Sequence, residues 1–155
     1  MNIHKGGLSA VGGRYALVAS RFNELVVDSL VKGAQDSLVR HDVPEDQIDL
    51  FWVPGAMEVP VVCSRAAKSG RYDAVIALGA VIRGATPHFD VVVNAVAGGC
   101  AHISLETDVP VIFGVLTTDS IEQALERAGT KAGNQGRHAA VTALEMVSVL
   151  RTLED

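Results

Sequence analysis

The sequence has no long hydrophobic run and no evident export signal. Its longest nearly unbroken apolar stretches, residues 74–82 and 91–101, are well short of the roughly 20 residues that a membrane-spanning helix needs. The first ten residues contain no apolar core of signal-peptide length. We therefore expect a cytoplasmic protein with no membrane partner.

The sequence also has fewer basic than acidic residues. The chain has 13 Lys and Arg residues against 18 Asp and Glu residues, which gives a net charge of −5. This balance argues against nucleic acid as a partner. Any anionic ligand would have to be held by a few local cations.

Only two cysteines are present, and neither has the spacing of a metal site. Cys63 and Cys100 lie in apolar segments, where free cysteine behaves as a buried hydrophobic residue. His102 and Glu106 share one face of a predicted helix, but no third ligand accompanies them, and catalytic zinc sites usually need three. The sequence predicts no metal site.

The length of 155 residues is that of one ordinary domain, so we expect a single domain over residues 1–155. The mean hydropathy is +0.28 although only 5% of the residues are aromatic. This is more apolar than a lone domain with a fully hydrated surface usually is. We expect part of the apolar surface to face other subunits.

Predicted strands and helices alternate along the chain, with apolar runs for strands and apolar stripes for helices. The predicted strands are residues 14–20, 47–53, 72–82 and 109–116. The predicted helices are residues 23–40, 57–68, a third that begins at 86, 119–127 and a last one that ends near 153. This order is typical of the α/β class and predicts a three-layer α/β/α sandwich around a four-stranded parallel sheet.

Several predicted helices carry capping signals at their starts. Asn23 and Thr86 are predicted N-caps, and Pro87 is predicted at the first helical position. Asp119 and Glu122 have the spacing of a capping box. The helix after Thr86 is apolar nearly all round, which predicts burial on every side.

The chemically unusual residues follow the predicted strands rather than being scattered. Segments 20–23, 54–58, 83–88 and 117–119 come after the four strands in turn. Ligands of parallel sheets bind outside the carboxyl ends of the strands. We therefore expect one site at this edge, with an aromatic ring, a carboxylate, free backbone N–H groups and a histidine.

Segment 79–86 differs by one residue from the phosphate-binding pattern of nucleotide hydrolases, because Ala85 stands where that pattern has lysine. The missing lysine argues against ATP or GTP. Free N–H groups at a helix start still favour an anion, so the segment predicts a site for a single phosphate group. An ordinary strand-to-helix turn is the alternative.

Five side chains near these segments are candidates for ligand contacts. His88 lies in the first turn of a predicted helix, where the dipole favours a neutral imidazole that can transfer protons. Phe22 is either a core residue or a platform for a ligand ring, and Glu58 either a partner of the helix dipole or an acceptor for ligand hydroxyls. Arg127 and Lys131 are either phosphate ligands or surface cations. Without a nucleophile elbow or dinucleotide motif, the residues predict an enzyme or binder for a small phosphorylated compound.

Together these segments resemble the lumazine synthase family. The matching stretches are residues 20–23 (SRFN), 53–60 (VPGAMEVP), 78–86 (LGAVIRGAT), 88–90 (HFD), 113–118 (FGVLTT) and 122–134 (EQALERAGTKAGN). The resemblance extends over roughly residues 14–150. It implies flavodoxin-like winding with strand order 2-1-3-4.

The resemblance also implies a reaction. Family members are transferases that condense 5-amino-6-(D-ribitylamino)uracil with 3,4-dihydroxy-2-butanone 4-phosphate to 6,7-dimethyl-8-ribityllumazine, with release of phosphate and water. The reaction is the penultimate step of riboflavin biosynthesis. It uses neither a metal ion nor an organic cofactor. A non-catalytic flavin-binding or shell-forming relative of the same fold is the alternative.

The resemblance assigns one group of residues to the ribityl-aminouracil. Phe22 would stack on the pyrimidine, and Val81 and Ile82 would offer backbone groups to the heterocycle. The carboxylate of Glu58 and the backbone of Ala56 would hold the ribityl chain.

A second group is assigned to the phosphorylated substrate and to proton transfer. Ala85 and Thr86 would bind the phosphate, and His88 would move protons as the catalytic residue. Phe113 and Arg127 would come from a neighbouring subunit, with Arg127 as the cation for the phosphate.

Three positions depart from the family's usual pattern. Met57, in the substrate-binding segment, replaces a more usual aromatic residue, and Pro87 replaces a small or hydroxyl residue. Gln135 stands where many members have lysine, so that side chain loses the contact a lysine would make. Neither Met57 nor Pro87 removes a proposed catalytic group.

The resemblance implies a homopentamer with its sites at subunit interfaces, and an N-terminal segment that adds to a neighbouring subunit. Some members assemble twelve pentamers into a 60-subunit icosahedral shell, and others have an insertion in the Gly-rich connection that prevents it. No insertion lies between residues 132 and 138, which predicts a shell. Riboflavin synthase is the expected protein partner of such a shell.

Overall fold

A computed structural model describes residues 1–9 and 12–154 and has four parallel strands at its centre. The strands are β1 (Tyr15–Ser20), β2 (Ile48–Val53), β3 (Ala74–Ile82) and β4 (Val111–Thr118). They are ordered β2-β1-β3-β4 and all neighbours are parallel. The predicted strand order 2-1-3-4 is confirmed.

Helices cover both faces of this sheet. They are α1 (Glu24–Arg40), α2 (Val59–Lys68), α3 (His88–Thr107), α4 (Ile121–Glu126) and α5 (Gln135–Arg151). Buried side chains of α1 and α5 form one core with the sheet, and those of α2 and α3 form the other. A short antiparallel pair, β5 (Ala128–Thr130) and β6 (Gly133–Asn134), joins α4 to α5. The predicted three-layer α/β/α sandwich is therefore confirmed.

Small and β-branched residues build both cores, in agreement with the low aromatic content. Strand β3 is buried from Ala74 to Val81, because helices pack on both of its faces. A fully buried side chain such as Leu78 or Ile76 contributes roughly 1.5–3 kcal/mol through removal from water. The close packing of these layers holds the strand ends in fixed relative positions.

The predicted N-cap position of Asn23 is confirmed, whereas the predicted cap at Thr86 is wrong. Asn23 lies at the N-cap of α1 but has left-handed backbone angles (φ 62°, ψ 43°), and its side chain makes no cap hydrogen bond. Its Nδ2 donates instead to the carbonyl oxygen of Ala80, at 2.9 Å. Thr86 is not a cap, because α3 begins at His88 and Pro87 directly precedes it as the N-cap residue.

The predicted capping box of α4 is displaced by one residue. Ser120 is the N-cap, and its Oγ accepts the N–H of Gln123 at 3.2 Å. The Oε1 of Gln123 in turn accepts the N–H of Asp119 at 2.8 Å. Strand β4 also continues to Thr118, two residues beyond its predicted end at 116, because its ladder with β3 continues that far.

In the single chain, helix α3 is covered on one side only, and its predicted burial on every side, which requires neighbouring subunits, stays a prediction. Val92 and Val96 face the core, whereas the side chains of Val91 and Leu105 are 62% and 84% exposed. The reason is geometric, because the sheet and α2 can cover only one side of the helix. An apolar face of α3 is left at the surface.

A cluster of charged and aromatic side chains ties the strands together at the edge opposite to their carboxyl ends. Arg14 donates from Nη2 to Oδ2 of Asp49 at 2.8 Å, and the hydroxyl of Tyr72 donates to the same oxygen at 2.7 Å. The N–H of Arg14 donates to Oδ2 of Asp73 at 2.8 Å. The guanidinium groups of Arg14 and Arg71 both lie over the Tyr72 ring. This amino-end cluster links β1, β2 and the residues before β3.

Residues 1–9 have no helix or strand, and the N–H of Gly7 donates to Oγ of Ser148 on α5 at 2.8 Å. The predicted addition of this segment to a neighbouring subunit stays a prediction. Among the helices of the described residues, none has the length and apolar character needed to cross a membrane.

Candidate active site

The loops that follow β1, β2 and β3 enclose a pocket of about 470 Å³ at the carboxyl edge of the sheet. This volume is within the usual range for small-molecule sites. Its lining residues are Phe22, Asn23, Gly55, Ala56, Met57, Glu58, Ala80, Val81, Ile82, Gly84, Thr86, His88, Phe89 and Val92. The pocket therefore lies at the carboxyl edge of the sheet, where the sequence predicted the site.

The wall after β1 presents an aromatic ring to the pocket. The N–H of Arg21 donates to the carbonyl of Val53 at 2.8 Å, and the N–H of Phe22 donates to that of Pro54 at 3.2 Å. These bonds fix the loop after β1 against the loop after β2. The Phe22 side chain is 72% exposed, so its interpretation as a core residue is wrong. Its ring is free to stack on a ligand.

Asn23 joins this wall to β3, a role that its sequence context did not predict. Its left-handed backbone turns the chain from β1 into α1, and asparagine adopts this conformation more readily than most residues. Its side chain holds the carbonyl of Ala80 at the point where β3 has passed the last residue of its ladder with β1. No pattern in the sequence identifies this role, because it depends on how close β3 lies to the side chain of Asn23.

The wall after β2 carries a carboxylate. A single 3-10 turn, Ala56–Glu58, leads directly into α2, whose second residue is Pro60. Met57 and Glu58 are both exposed. Within residues 1–9 and 12–154, the Glu58 carboxylate forms no ion pair and accepts no hydrogen bond. It is available to hydroxyl donors on a ligand.

The end of β3 supplies backbone groups on its β1 side. The ladder with β1 ends at Leu78, whereas the ladder with β4 continues to Ile82. Backbone groups alternate in direction along a strand, so those of Ile82 point to the same side as those of Ala80. At Ile82 no strand lies on that side. Its N–H and carbonyl therefore remain for a ligand, while Val81 contributes to the pocket wall.

Residues 84–87, which we call the phosphate loop, connect β3 to α3. In the part of the chain that the structure describes, the N–H groups of Gly84, Ala85 and Thr86 donate to no protein acceptor. The loop precedes the first turn of α3, where the helix dipole favours an anion. Gly84 and Thr86 line the pocket, and Ala85 does not.

His88 lies in the first turn of α3, as predicted, but it is the first helical residue, because Pro87 is the N-cap and not the first helical position; His88 lines the same pocket. Phe89 and Val92 form the apolar floor next to it. The pocket thus brings together eight of the predicted site residues. They are Phe22, Ala56, Met57, Glu58, Val81, Ile82, Thr86 and His88.

Phe113 and Arg127 lie away from this pocket. Phe113 is in β4 and packs against the core formed with α2 and α3. Arg127 follows α4, and its Nη1 donates to the carbonyl of Gln123 at 3.1 Å and lies 3.7 Å from Oε2 of Glu126. Their arrival from a neighbouring subunit stays a prediction.

The two cysteines are buried, and no group of three or more metal-ligating side chains is found among residues 1–9 and 12–154. Cys63 of α2 and Cys100 of α3 are in the same core. The contact with Cys100, followed by burial, raises the pKa of the Cys63 thiol well above its usual range. A thiol of this kind does not act as a nucleophile near neutral pH.

Comparison with known proteins adds a second line of evidence. A family model described as 6,7-dimethyl-8-ribityllumazine synthase matches residues 12–151. Two curated sequences from Clostridium kluyveri, both named 6,7-dimethyl-8-ribityllumazine synthase, are 56% identical to the chain. Each match covers 99% of this chain and 100% of the relative.

Proposed function

The chain belongs to the 6,7-dimethyl-8-ribityllumazine synthase family, and we propose that the pocket at the carboxyl edge of its sheet is the site of the family's reaction. The reaction condenses 5-amino-6-(D-ribitylamino)uracil with 3,4-dihydroxy-2-butanone 4-phosphate in riboflavin biosynthesis. Membership at this identity confirms the transferase class that the sequence motifs predicted.

The convergence of Phe22, Glu58 and His88 carries the assignment of the site. These residues follow three different strands, are far apart in sequence, and line one pocket. Each offers a different interaction, namely a ring face, a free carboxylate and an imidazole. This combination suits a substrate that has a flat heterocycle, a chain of hydroxyls and an exchangeable proton.

The ribityl-aminouracil takes the part of the pocket between β1 and β2 in this proposal. Phe22 stacks on the pyrimidine, and the open backbone groups of Ile82, next to Val81, bind its polar edge. The carboxylate of Glu58 accepts hydrogen bonds from ribityl hydroxyls, with the backbone of Ala56 beside it. The apolar side chain of Met57 adds contact area where other family members use an aromatic ring.

The phosphorylated substrate takes the part next to α3. The free N–H groups of Ala85 and Thr86 donate to the phosphate, and the helix dipole adds a favourable field. No lysine or arginine lines the pocket of the single chain within the described residues, so the charge of the phosphate needs a further cation. Arg127 of a neighbouring subunit supplies it, and Phe113 of that subunit closes the pocket.

Catalysis in this site depends mainly on positioning. The amine of the uracil attacks the ketone carbon of the butanone phosphate, and loss of water gives an imine. Elimination of phosphate and ring closure follow. Holding both substrates in register lowers the entropic cost of the first step, and His88 assists the proton transfers.

Oligomeric assembly accompanies this function in the family, and the specific assembly here is part of the proposal. We infer a cytoplasmic homopentamer whose sites lie at subunit interfaces. The short connection between α4 and α5 supports further assembly into a 60-subunit shell, with riboflavin synthase as a partner. Sedimentation that shows only pentamers would remove the shell from the proposal.

The decisive experiment mixes the purified protein with the two substrates. Lumazine fluorescence and free phosphate are expected to appear together and in equal amounts. A non-catalytic flavin-binding or shell-forming relative would bind ligand or assemble without releasing phosphate above the rate of the spontaneous reaction. That outcome would contradict the proposal.

A further inference from the structure

Arg83 links the end of β3 to the end of β4 and to the start of α3. Its N–H donates to the carbonyl of Thr118 at 2.8 Å, which extends the β3–β4 ladder by one residue. Its Nε donates to Oδ1 of Asp119 at 2.9 Å. Its Nη1 lies 3.5 Å from Oδ2 of Asp90 in the first turn of α3.

The guanidinium of Arg83 also covers an aromatic ring of α3. Its central carbon lies 4.2 Å from the centroid of the Phe89 ring, in the range of a cation–π interaction. Phe89 and Asp90 directly follow His88. Arg83 therefore holds the chain on both sides of the phosphate loop, by its backbone before the loop and by its side chain after it.

The phosphate loop has few bonds of its own to fix its shape. The N–H groups of Gly84, Ala85 and Thr86 have no protein acceptor in the described part of the chain, and Pro87 has no N–H. The position of such a segment depends on its two ends. A side chain that holds both ends sets where the free N–H groups and the ring of His88 point.

Charge gives Arg83 a second effect at the same place. Asp90 and Asp119 both pair with it, so its own charge is already engaged. Without Arg83, two uncompensated carboxylates would stand near the substrate's phosphate and repel it. Because its guanidinium is already paired with two carboxylates, Arg83 differs from a cation that is free to bind a ligand directly.

We propose that Arg83 is a positioning residue that keeps the phosphate loop and His88 in the geometry needed by the phosphorylated substrate. The inference rests on the proposed function, because it places the phosphate at residues 84–87. Arg83 does not line the pocket, so it acts through the residues that it holds.

The test compares Arg83→Met, Arg83→Lys and Arg40→Met in the assembled, full-length enzyme. KM is measured for each substrate separately, together with kcat and the inhibition constant of inorganic phosphate. Arg83→Met is expected to raise the KM for the phosphorylated substrate and the inhibition constant about tenfold, because the phosphate loop loses its positioning side chain and two carboxylates lose their cation. The KM for the ribityl substrate is expected to change less than about threefold. Arg83→Lys keeps the charge without the forked geometry and is expected to recover part of the loss.

Arg40→Met is the matched control, because Arg40 forms a similar exposed pair with Asp36 on α1, at 2.9 Å. It is expected to leave both KM values unchanged. The side chains of Arg83, Asp90 and Asp119 are 44%, 60% and 71% exposed, and exposed ion pairs contribute little to folding. Arg83→Met is therefore expected to lower the thermal midpoint no more than Arg40→Met does.

The outcomes separate the two proposals. If the wild-type enzyme releases no phosphate, the proposed function is wrong. If the wild type turns over and Arg83→Met retains both its KM for the phosphorylated substrate and its phosphate inhibition, the positioning role is wrong. A parallel rise in both KM values with a large drop in the thermal midpoint would also overturn it, since that pattern indicates general unfolding. Should Arg83→Met fail to assemble, Arg83→Gln removes the same charge while keeping a hydrogen-bond donor, and it is expected to raise the same KM.

Discussion

At the scale of single residues, Asn23 does more for the pocket than its place at a helix start suggests. A left-handed residue at this position lets the chain leave β1 and enter α1 within one turn. The bond from its side chain to Ala80 keeps the end of β3 close to this turn. Phe22 is thus held between two fixed neighbours while its ring remains exposed.

The role proposed for His88 predicts a partial loss of activity on its removal. His88→Ala is expected to lower kcat by at most about 10²–10⁴-fold, because general acid–base assistance contributes no more than that. Substrate positioning by the rest of the pocket is retained, so the KM values are expected to change little. Single-turnover kinetics with both substrates at saturation measures the effect. Complete loss of activity in a correctly assembled variant would contradict a mechanism based on positioning.

Asp49 of the amino-end cluster predicts a pH dependence of stability. The hydrogen bond from Tyr72, followed by those from Arg14, lowers the pKa of Asp49 in the folded chain. Its stabilisation is therefore complete above the ordinary carboxyl pKa of about 3.9 and is lost as the pH falls below that value. Asp49→Asn is expected to cost about 1 kcal/mol or less, since the side chain is partly exposed.

Thermal midpoints of Asp49→Asn and wild type, at equal protein concentration, measure this effect. The difference is expected to be constant between pH 5 and pH 8 and to shrink below about pH 4. Asp28→Asn is a suitable control, because Asp28 pairs only with Lys32 on the surface of α1 among the described contacts. A difference that grows in acid would show that the carboxylate of Asp49 does not stabilise the fold.

At the scale of secondary-structure elements, the contact between α1 and α5 is the tightest helix packing of the described residues. A methyl group at Gly136 would overlap the backbone carbonyl of Leu30. The nearest atoms to a methyl group at Gly33 would belong to the side chain of Asn134. A side chain can move aside, whereas a helix backbone cannot without disturbing its neighbours.

Gly136→Ala is therefore expected to destabilise the fold by about 1–3 kcal/mol, as overpacking usually does. Gly33→Ala, in the same helix pair, is expected to cost less, because Asn134 can rotate away with loss of two hydrogen bonds, one donated to Ser29 and one accepted from Arg137. Thermal unfolding of both variants beside wild type measures the order. Equal losses would mean that α1 and α5 can separate slightly at little cost.

The periodicity and turn chemistry of the sequence predicted the elements well and their first turns poorly. The strand pattern of β3 needs no tertiary information, because nine apolar residues in a row suit a strand buried on both faces. The cap of α1 does need it, since the side chain of Asn23 could bond either its own helix or the carbonyl of Ala80. Only the position of β3 decides between these acceptors.

The pocket residues divide in the same way. Phe22, Glu58 and His88 were predictable because the parallel direction of the strands places their loops at one edge of the sheet. Arg83 was not, because its value depends on three partners, Phe89, Asp90 and Asp119, whose approach is a matter of side-chain geometry. Exposure of Phe22 was likewise beyond the sequence, since an aromatic residue after a strand suits a core equally well.

At the scale of the whole molecule, two surfaces of the chain are incomplete. Val91 and Leu105 on α3 leave apolar area in contact with water, and the pocket lacks a cation for a phosphate. In an oligomer, a neighbouring subunit that covers α3 and contributes Arg127 would remove the exposed apolar area and supply the cation. The same assembly would also account for the high mean hydropathy of the sequence.

A shared site predicts that two inactive variants restore each other. Phe22→Ala and Arg127→Ala are each expected to lose most activity. When the two are dissociated and reassembled at equal amounts, roughly a quarter of the pockets receive an intact Phe22 from one subunit and an intact Arg127 from the next, if subunits mix at random. Activity is expected to return to about that fraction of the wild-type level.

Mixing the two variants after assembly, without dissociation, is the control and is expected to give no recovery. Sedimentation confirms that the reassembled particles have the size of the wild-type ones. Absence of recovery in mixed particles would mean that one chain supplies both residues to its own pocket.

The amino-end cluster lies across the whole length of the sheet from the pocket, and this separation bears on how the enzyme tolerates change. Substitutions that alter substrate range would be made in the exposed loops around the pocket. The side chains of these loops contribute little to the free energy of folding. The opposite rim, with Arg14, Asp49 and Tyr72, can be strengthened independently of them. Stabilising substitutions at that rim would therefore offset the cost of substitutions that change substrate preference at the pocket.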